Sequence, residues 1–207
     1  MSAALQTLLA YRDDGPIEAV RDRHLPLSLP PLPATVAAAV PLLVVLFVVS
    51  GDDWELPTGL ALLWFLVLGT LGASRDLSAR LDWLVPPLLR VAEYVAIARL
   101  AFLSDPHALP AAYALIAALA YHHYDVVYRL RHQRRTPARW VGFVGGGWFV
   151  RLAYVWVVCA AGVARPGLFA AAAVVGVAFV VESIVGWTRF ETRERPSTFE
   201  QPSEETE

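Results

Sequence analysis

The chain has 207 residues, 57% of them hydrophobic, and a formal net charge of −2 at pH 7. Its mean hydropathy of +0.49 exceeds that of an ordinary soluble domain. All 17 basic residues are arginine, and the near-neutral charge gives no indication of nucleic-acid binding. The single cysteine, Cys159, excludes an intrachain disulfide within this sequence. The composition therefore indicates an all-α membrane protein.

Six apolar segments have close to the length that crosses a bilayer core, which takes about 20 helical residues. In chain order they are 34–50, 57–73, 84–103, 109–130, 148–164 and 167–187. The N-terminal tail, 1–33, is expected to contain an interfacial helix over 2–10 and an extended proline-rich stretch over 25–33. The polar residues 188–207 are expected to form a disordered tail. The predicted fold is a polytopic six-helix membrane bundle over 34–187.

The distribution of arginine predicts how this bundle is oriented. Arginines are concentrated in both tails and in the loops 74–83 and 129–147. The alternate loops 51–57 and 104–110 contain none, and the last short turn contains only Arg165. Because positively charged loops are retained in the cytoplasm, both termini are predicted to be cytoplasmic. The expected location is the inner (plasma) membrane, with multiple passes.

Ionisable side chains occur inside the apolar segments. A charge at bilayer depth costs roughly a few kcal/mol or more, so it usually has a partner or a function. The predicted topology brings eight of them towards the cytoplasmic side: Arg90, Glu93, His122, His123, Asp125, Arg129, Arg151 and Glu182. Arg90 and Glu93 are three residues apart and can pair on one helix face. The sequence thus predicts one polar layer shared by four helices.

Helical spacing selects which of these side chains belong to a site. At 100° per residue, His122, Asp125, Tyr128 and Arg129 share one face of the fourth segment. His123 points elsewhere and is expected to be packed instead of reactive. The polar face is therefore predicted to border protein or a cavity and not lipid.

The residue types in this layer suit a phosphate-bearing ligand. The guanidiniums of Arg90, Arg129 and Arg151 suit phosphate or diphosphate, and Tyr128 and Glu182 complete the predicted substrate-binding set. The candidate catalytic residues are Asp125 and Glu93, as general bases or cation ligands, and His122, which would orient a group or relay a proton. A divalent cation such as Mg²⁺ is a candidate cofactor, and its ligands are left open.

Three stretches carry a resemblance to a known group of proteins. LDWLVPPLLRVAEY (81–94), YHHYDVVYRLRHQ (121–133) and the GGGW–R stretch (145–151) resemble the C-terminal membrane domain, of unknown function, of actinobacterial multidomain proteins. In those proteins, similar domains follow a nucleotidyltransferase domain and a CDP-alcohol phosphotransferase domain. The resemblance covers roughly 75–187 and implies a context in phospholipid metabolism, with either enzyme as a partner. The phosphotransferase signature D-G-x2-A-R-x8-G-x3-D-x3-D is absent, so the resemblance implies no metal ligands.

Three functions fit these observations. The leading hypothesis is a protein of phospholipid or glycolipid head-group metabolism, which binds a phosphorylated lipid or CDP-activated alcohol at the polar layer and acts as a transferase. The alternative is a non-catalytic subunit or scaffold that assists a separate CDP-alcohol phosphotransferase, and burial of Asp125 away from solvent and lipid would favour it. A small transporter is disfavoured, because Arg99 is the main polar residue in the outer halves of the segments. Membrane lipids are expected partners, and a homo-oligomer is a candidate assembly.

Overall fold

The computed structural model describes residues 12, 13, 15, 29–73, 79–132 and 139–194. Within these residues the fold is all-helical, without a strand, which confirms the predicted class. The helices are α1 (Pro31–Val48), α2 (Glu55–Ala73), α3 (Val85–Ser104), α4 (Leu109–His132), α5 (Arg139–Val144), α6 (Gly147–Ala160) and α7 (Ala164–Glu194). Two 3₁₀ turns, Asp82–Leu84 and Pro106–Ala108, precede α3 and α4.

The helices follow the predicted segments. The main differences are two helix ends and one additional helix. α1 already begins at Pro31, so the stretch 25–33 is not extended throughout. Proline is tolerated at the start of a helix because the first helical N–H groups have no intrahelical partner. α7 continues to Glu194, beyond the predicted end at 187. The short α5 is an additional helix in a predicted loop. The predicted interfacial helix at 2–10 lies outside the described residues.

In the part of the chain that the structure describes, four helical stretches are long and apolar enough to cross a membrane: Pro31–Val48, Glu55–Gly72, Trp140–Ala160 and Ala164–Thr188. The third combines α5 and α6. α3 is also long, but it contains three charged residues, Arg90, Glu93 and Arg99. The structure is therefore that of a helical membrane protein with four candidate spans. Six spans and cytoplasmic termini stay predictions.

α3 lies at the centre of the described bundle. It contacts α1, α4 and α6, while α1 packs on α2 and α4 packs on α7. Leu89, Ala92, Ala96 and Leu100 recur every three or four residues on α3 and are fully or almost fully buried. The small alanines allow neighbouring helices to approach closely. As a result, the charged residues of α3 are surrounded by other helices.

Two carbonyl groups of α1, one opposite a proline and one at the C-terminal end, accept hydrogen bonds from side chains of other helices. Pro41 has no N–H group, so it cannot donate to the carbonyl of Ala37 four residues earlier. That carbonyl accepts a hydrogen bond from Trp64 Nε1 of α2, at 2.9 Å. At the end of α1, Arg99 Nε donates to the carbonyl of Leu46 at 2.7 Å. Arg99, the charge expected near the outer end, thus has a structural role as a cap on a helix C-terminus.

Candidate functional site

A buried group of charged residues lies where α3, α4 and α6 meet an N-terminal segment. We call it the Arg151 cluster, and its members are Asp13, Arg90, Glu93, His123 and Arg151. Arg151 Nε donates to Glu93 Oε1 at 2.6 Å, and Arg151 Nη1 donates to the carbonyl of Gly145 at 3.0 Å. Arg90 Nη1 donates to Glu93 Oε2 at 3.1 Å, as the i,i+3 spacing predicts. Glu93 is 0% exposed and therefore bridges two guanidiniums inside the protein.

Asp13 reaches this cluster from the N-terminal tail, and this contact is not predicted from the sequence. Its Oδ2 lies 3.0 Å from Arg151 Nη1, 3.4 Å from His123 Nε2 and 3.8 Å from Arg90 Nη1. Burial alone would raise the pKa of Asp13. Arg151, the hydrogen bond with His123 and Arg90 outweigh burial and hold that pKa well below its ordinary value of 3.8. Asp13 is therefore an anion bound by the cluster.

Gly15 allows the N-terminal segment to approach α6 this closely. Gly15 has a φ of +64° and lies against the turn that starts α6; a Cβ on it would be 2.7 Å from Gly147 N and 2.9 Å from the carbonyl oxygen of Gly146. Asp13 itself has a φ of 53°, which is uncommon for a residue with a side chain. Arg90 Nη2 also donates to the carbonyl of Arg12 at 3.0 Å. The segment is thus held through both its backbone and its carboxylate.

The prediction that His123 points away from the site is wrong. Tyr94 Oη and His123 Nδ1 are 2.6 Å apart, and the two rings stack with centroids 6.0 Å apart. The other ring nitrogen of His123 faces Asp13. The physical reason is that α4 contacts α3 as well as α7, so two of its faces border polar groups.

A second buried group joins α4 to α7. We call it the Arg129 cluster, and its members are Asp125, Arg129, Glu182 and Ser183. Glu182 binds both terminal nitrogens of Arg129: Nη1 donates to Oε1 at 2.7 Å, and Nη2 donates to Oε2. Asp125 Oδ2 lies 2.5 Å from Arg129 Nη2. Asp125 Oδ1 accepts hydrogen bonds from Ser183 Oγ at 3.1 Å and from Trp187 Nε1 at 3.4 Å.

The other two predicted site residues flank the Arg129 cluster. The ring of His122 stacks on Phe179 of α7, with centroids 3.8 Å apart, and is buried. Tyr128 is 37% exposed, and its ring contacts Trp187 at 5.6 Å between centroids. The predicted single layer is thus two clusters, and the two candidate catalytic carboxylates, Glu93 and Asp125, belong to different ones.

A cavity of about 300 Å³ lies beside Arg151. Its walls come from α4, the turn before α6, α6 itself and α7, and they are largely apolar, with Leu115, Val150, Val174 and Val175 among the lining residues. Arg151 is 5% exposed and lines this cavity. Within the described part of the chain, Arg151 Nη2 has no hydrogen-bond partner. The cavity therefore has largely apolar walls and borders the charged side chain of Arg151, whose Nη2 can still donate a hydrogen bond.

The carboxylates of both clusters are engaged by arginine. Among the residues described, no group of three or more His, Cys, Asp or Glu side chains is arranged to hold a metal ion. The candidate Mg²⁺ therefore has no ligand set in these parts of the chain. What the two clusters present to a ligand is guanidinium chemistry, which suits anions.

Comparison with protein families shows the family of this chain. The model of DUF5941, a family of unknown function, matches residues 2–200. The chain belongs to this family. The DUF5941 match includes the N-terminal segment and every described helix, and so extends well beyond the region 75–187 that carries the resemblance. Comparisons with curated proteins and with solved structures gave no match. Membership agrees with a domain of unknown function, while the actinobacterial multidomain context stays a prediction.

Proposed function

We propose that this protein is an integral membrane protein that binds a phosphorylated lipid at Arg151. The supporting observation is that buried Arg151 lines an apolar cavity of about 300 Å³ and that its Nη2 has no hydrogen-bond partner among the described residues. Leaving a buried donor unsatisfied costs roughly 1–3 kcal/mol, and more for a charged group. A phosphate oxygen would satisfy this donor, while an acyl chain would fill the apolar cavity.

The positions of α3 and α4 support the six-span topology within this proposal. α3 lies among α1, α4 and α6, and α4 packs along α7. Their charged side chains are paired across these contacts, Glu93 of α3 with Arg151 of α6 and Arg129 of α4 with Glu182 of α7. Intramembrane charges are tolerated when they face the interior of a bundle and are paired. With the arginine distribution, this arrangement favours six spans and a cytoplasmic location of both clusters.

The geometry supports a binding role more than a transferase role. A general base needs access to the proton that it removes. Asp125 is 6% exposed and already interacts with Arg129, Ser183 and Trp187, while both oxygens of Glu93 accept from arginines. We therefore favour the non-catalytic alternative, a lipid-binding membrane subunit that assists a separate CDP-alcohol phosphotransferase. Transport is less supported, because Arg99, the main polar residue in the outer halves of the segments, is engaged in capping α1.

Binding of a defined short-chain lipid tests this proposal. Purified full-length protein in detergent would be titrated calorimetrically with dioctanoyl phosphatidate and, separately, with dioctanoylglycerol, which has no phosphate. We expect binding of the phosphatidate only. Arg151→Lys keeps a positive charge beside Glu93 but lacks the forked N–H groups. It should weaken binding about tenfold, the equivalent of one charge-assisted hydrogen bond.

Arg165→Lys provides the matched control, because Arg165 is exposed and does not line the cavity. Its affinity for the phosphatidate should equal that of the wild type. Thermal unfolding of each variant would show that the comparison is between folded proteins. Equal affinity for the two lipids, or an unchanged affinity in Arg151→Lys, would contradict the proposal.

A further inference from the structure

Asp13 occupies the place in the Arg151 cluster that an external anion would need. Its carboxylate faces three donors from three different helices: Arg90 of α3, His123 of α4 and Arg151 of α6. Converging donors of this kind are the usual surroundings of a bound phosphate. Of the acidic residues in the cluster, Asp13 is the one that does not come from a helix of the bundle.

The charges of the cluster make Asp13 exchangeable for another anion. With Asp13 in place, two guanidiniums face two carboxylates, Asp13 and Glu93, which balances their formal charges. Without Asp13, the cluster loses one of the two carboxylates that the described residues place beside Arg151, and the charge on its guanidinium is less well compensated. Because an uncompensated buried charge is strongly unfavourable, the cluster requires one anion at this place. A phosphate ester would meet that requirement as well as a carboxylate does.

The N-terminal segment also shares a wall with the apolar cavity. Gly15 lies against Gly146, with a Cβ on Gly15 placed 2.8 Å from the carbonyl carbon of Gly146. Gly145 and Gly146 also line the cavity, together with Arg151. The docked segment and a lipid in the cavity would therefore contact the same turn and the same guanidinium.

We infer that Asp13 is a built-in competitor for the lipid phosphate, so that the N-terminal segment and a phosphate ester bind alternately to Arg90, His123 and Arg151. This inference rests on the proposed lipid-binding function and assigns its regulation. The segment belongs to the same chain, so its binding to the cluster is intramolecular and does not depend on the protein concentration. A segment docked for about 90% of the time would weaken the apparent lipid affinity about tenfold.

The test compares the affinity of three full-length variants for dioctanoyl phosphatidate. Asp13→Asn removes the competing charge and should bind the lipid about tenfold more tightly than the wild type. Asp53→Asn is the matched control, because it removes the same charge from an exposed position in the loop between α1 and α2, at the other end of the bundle. Its affinity should equal that of the wild type.

Gly15→Val tests the same competition without removing the carboxylate. A side chain at this position would contact Gly147 N at 2.7 Å and would require a left-handed backbone that valine disfavours. The segment should therefore undock, and lipid affinity should rise as in Asp13→Asn. This variant keeps the test decisive if Asp13→Asn does not fold, which size-exclusion chromatography and thermal unfolding would show.

The outcomes separate the competition from the proposed function. If the wild type binds phosphatidate and both variants bind it with unchanged affinity, the competition is overturned while the lipid site stands. If neither the wild type nor the variants prefer phosphatidate over dioctanoylglycerol, both are overturned. Inorganic phosphate is titrated in parallel. A tenfold gain for phosphatidate that inorganic phosphate does not share supports competition with a lipid, whereas an equal gain for both supports competition with free phosphate.

Discussion

The Arg151 cluster and the Arg129 cluster use the same chemistry for different purposes. Each places a buried arginine between two carboxylates, and each involves α4. In the Arg129 cluster, both carboxylates come from helices that pack along their length, α4 and α7. In the Arg151 cluster, one carboxylate comes from Asp13, outside the bundle. The Arg129 cluster is thus closed by two helices that pack along their length, and the Arg151 cluster by a residue of the N-terminal tail.

The second difference is the space beside each arginine. Arg129 Nε and Arg151 Nη2 both lack a hydrogen-bond partner in the described residues. The cavity of about 300 Å³ is lined by Arg151 but not by Arg129. An unsatisfied donor alone therefore does not mark a ligand site. The combination with adjacent apolar space is what distinguishes Arg151, and it is the reason for proposing a binding role for one cluster and a structural role for the other.

The largest expected effect is a loss of stability in Glu93→Gln. Glu93 is 0% exposed and bridges Arg90 and Arg151, so the neutral amide removes a counter-ion that the two guanidiniums share. Removing one partner of a buried ion pair costs about 3–5 kcal/mol. The free energy of unfolding in detergent should fall by this amount. A loss below about 1 kcal/mol would mean that Glu93 is not the bridging anion.

Glu182→Gln is the counterpart of this variant in the Arg129 cluster. Asp125 still lies 2.5 Å from Arg129 Nη2 after the substitution, so we expect a loss at the lower end of the range, about 3 kcal/mol. Affinity for dioctanoyl phosphatidate, measured at a temperature where the variant is folded, should be unchanged. A reduced lipid affinity would break the distinction between the two clusters.

Asp125→Asn is expected to have a smaller effect. Glu182 continues to bind both terminal nitrogens of Arg129, and the amide oxygen of asparagine can still accept from Ser183. The cost should be about 1 kcal/mol, that of a typical hydrogen bond, with lipid affinity unchanged. Thermal unfolding and lipid titration would measure both quantities. Loss of lipid binding, or of turnover in an assay with a CDP-activated alcohol, would restore the catalytic hypothesis for Asp125.

The sequence predicts contacts within a helix far better than contacts between distant segments. The position of α3 and the Arg90–Glu93 pair follow from spacing alone, because apolar periodicity and i,i+3 neighbours are local properties. The Asp13–Arg151 pair joins residues 138 positions apart, and no periodicity connects them. Its one sequence signal is the presence of glycine at 15 and at 145–147, which allows close backbone approach without indicating the partner.

The smallest expected effect is the pH dependence contributed by Asp13, and it tests how firmly the segment is bound. The neighbouring Arg151, His123 and Arg90 lower the pKa of Asp13 in the folded protein, although burial opposes this shift. A lowered pKa means that the unfolded chain binds the proton more tightly, so the stabilisation is fully present above the ordinary pKa of 3.8 and is lost as the pH falls towards the folded value. Thermal unfolding of the wild type and Asp13→Asn should therefore differ by a constant amount from about pH 8 to about pH 5, and the difference should shrink only below that range.

The exposed Asp53→Asn control should show no such difference. If the difference between the wild type and Asp13→Asn already disappeared between about pH 7 and pH 5, the pKa of Asp13 would have to be raised and not lowered, and its carboxylate would not be the anion that balances Arg90 and Arg151.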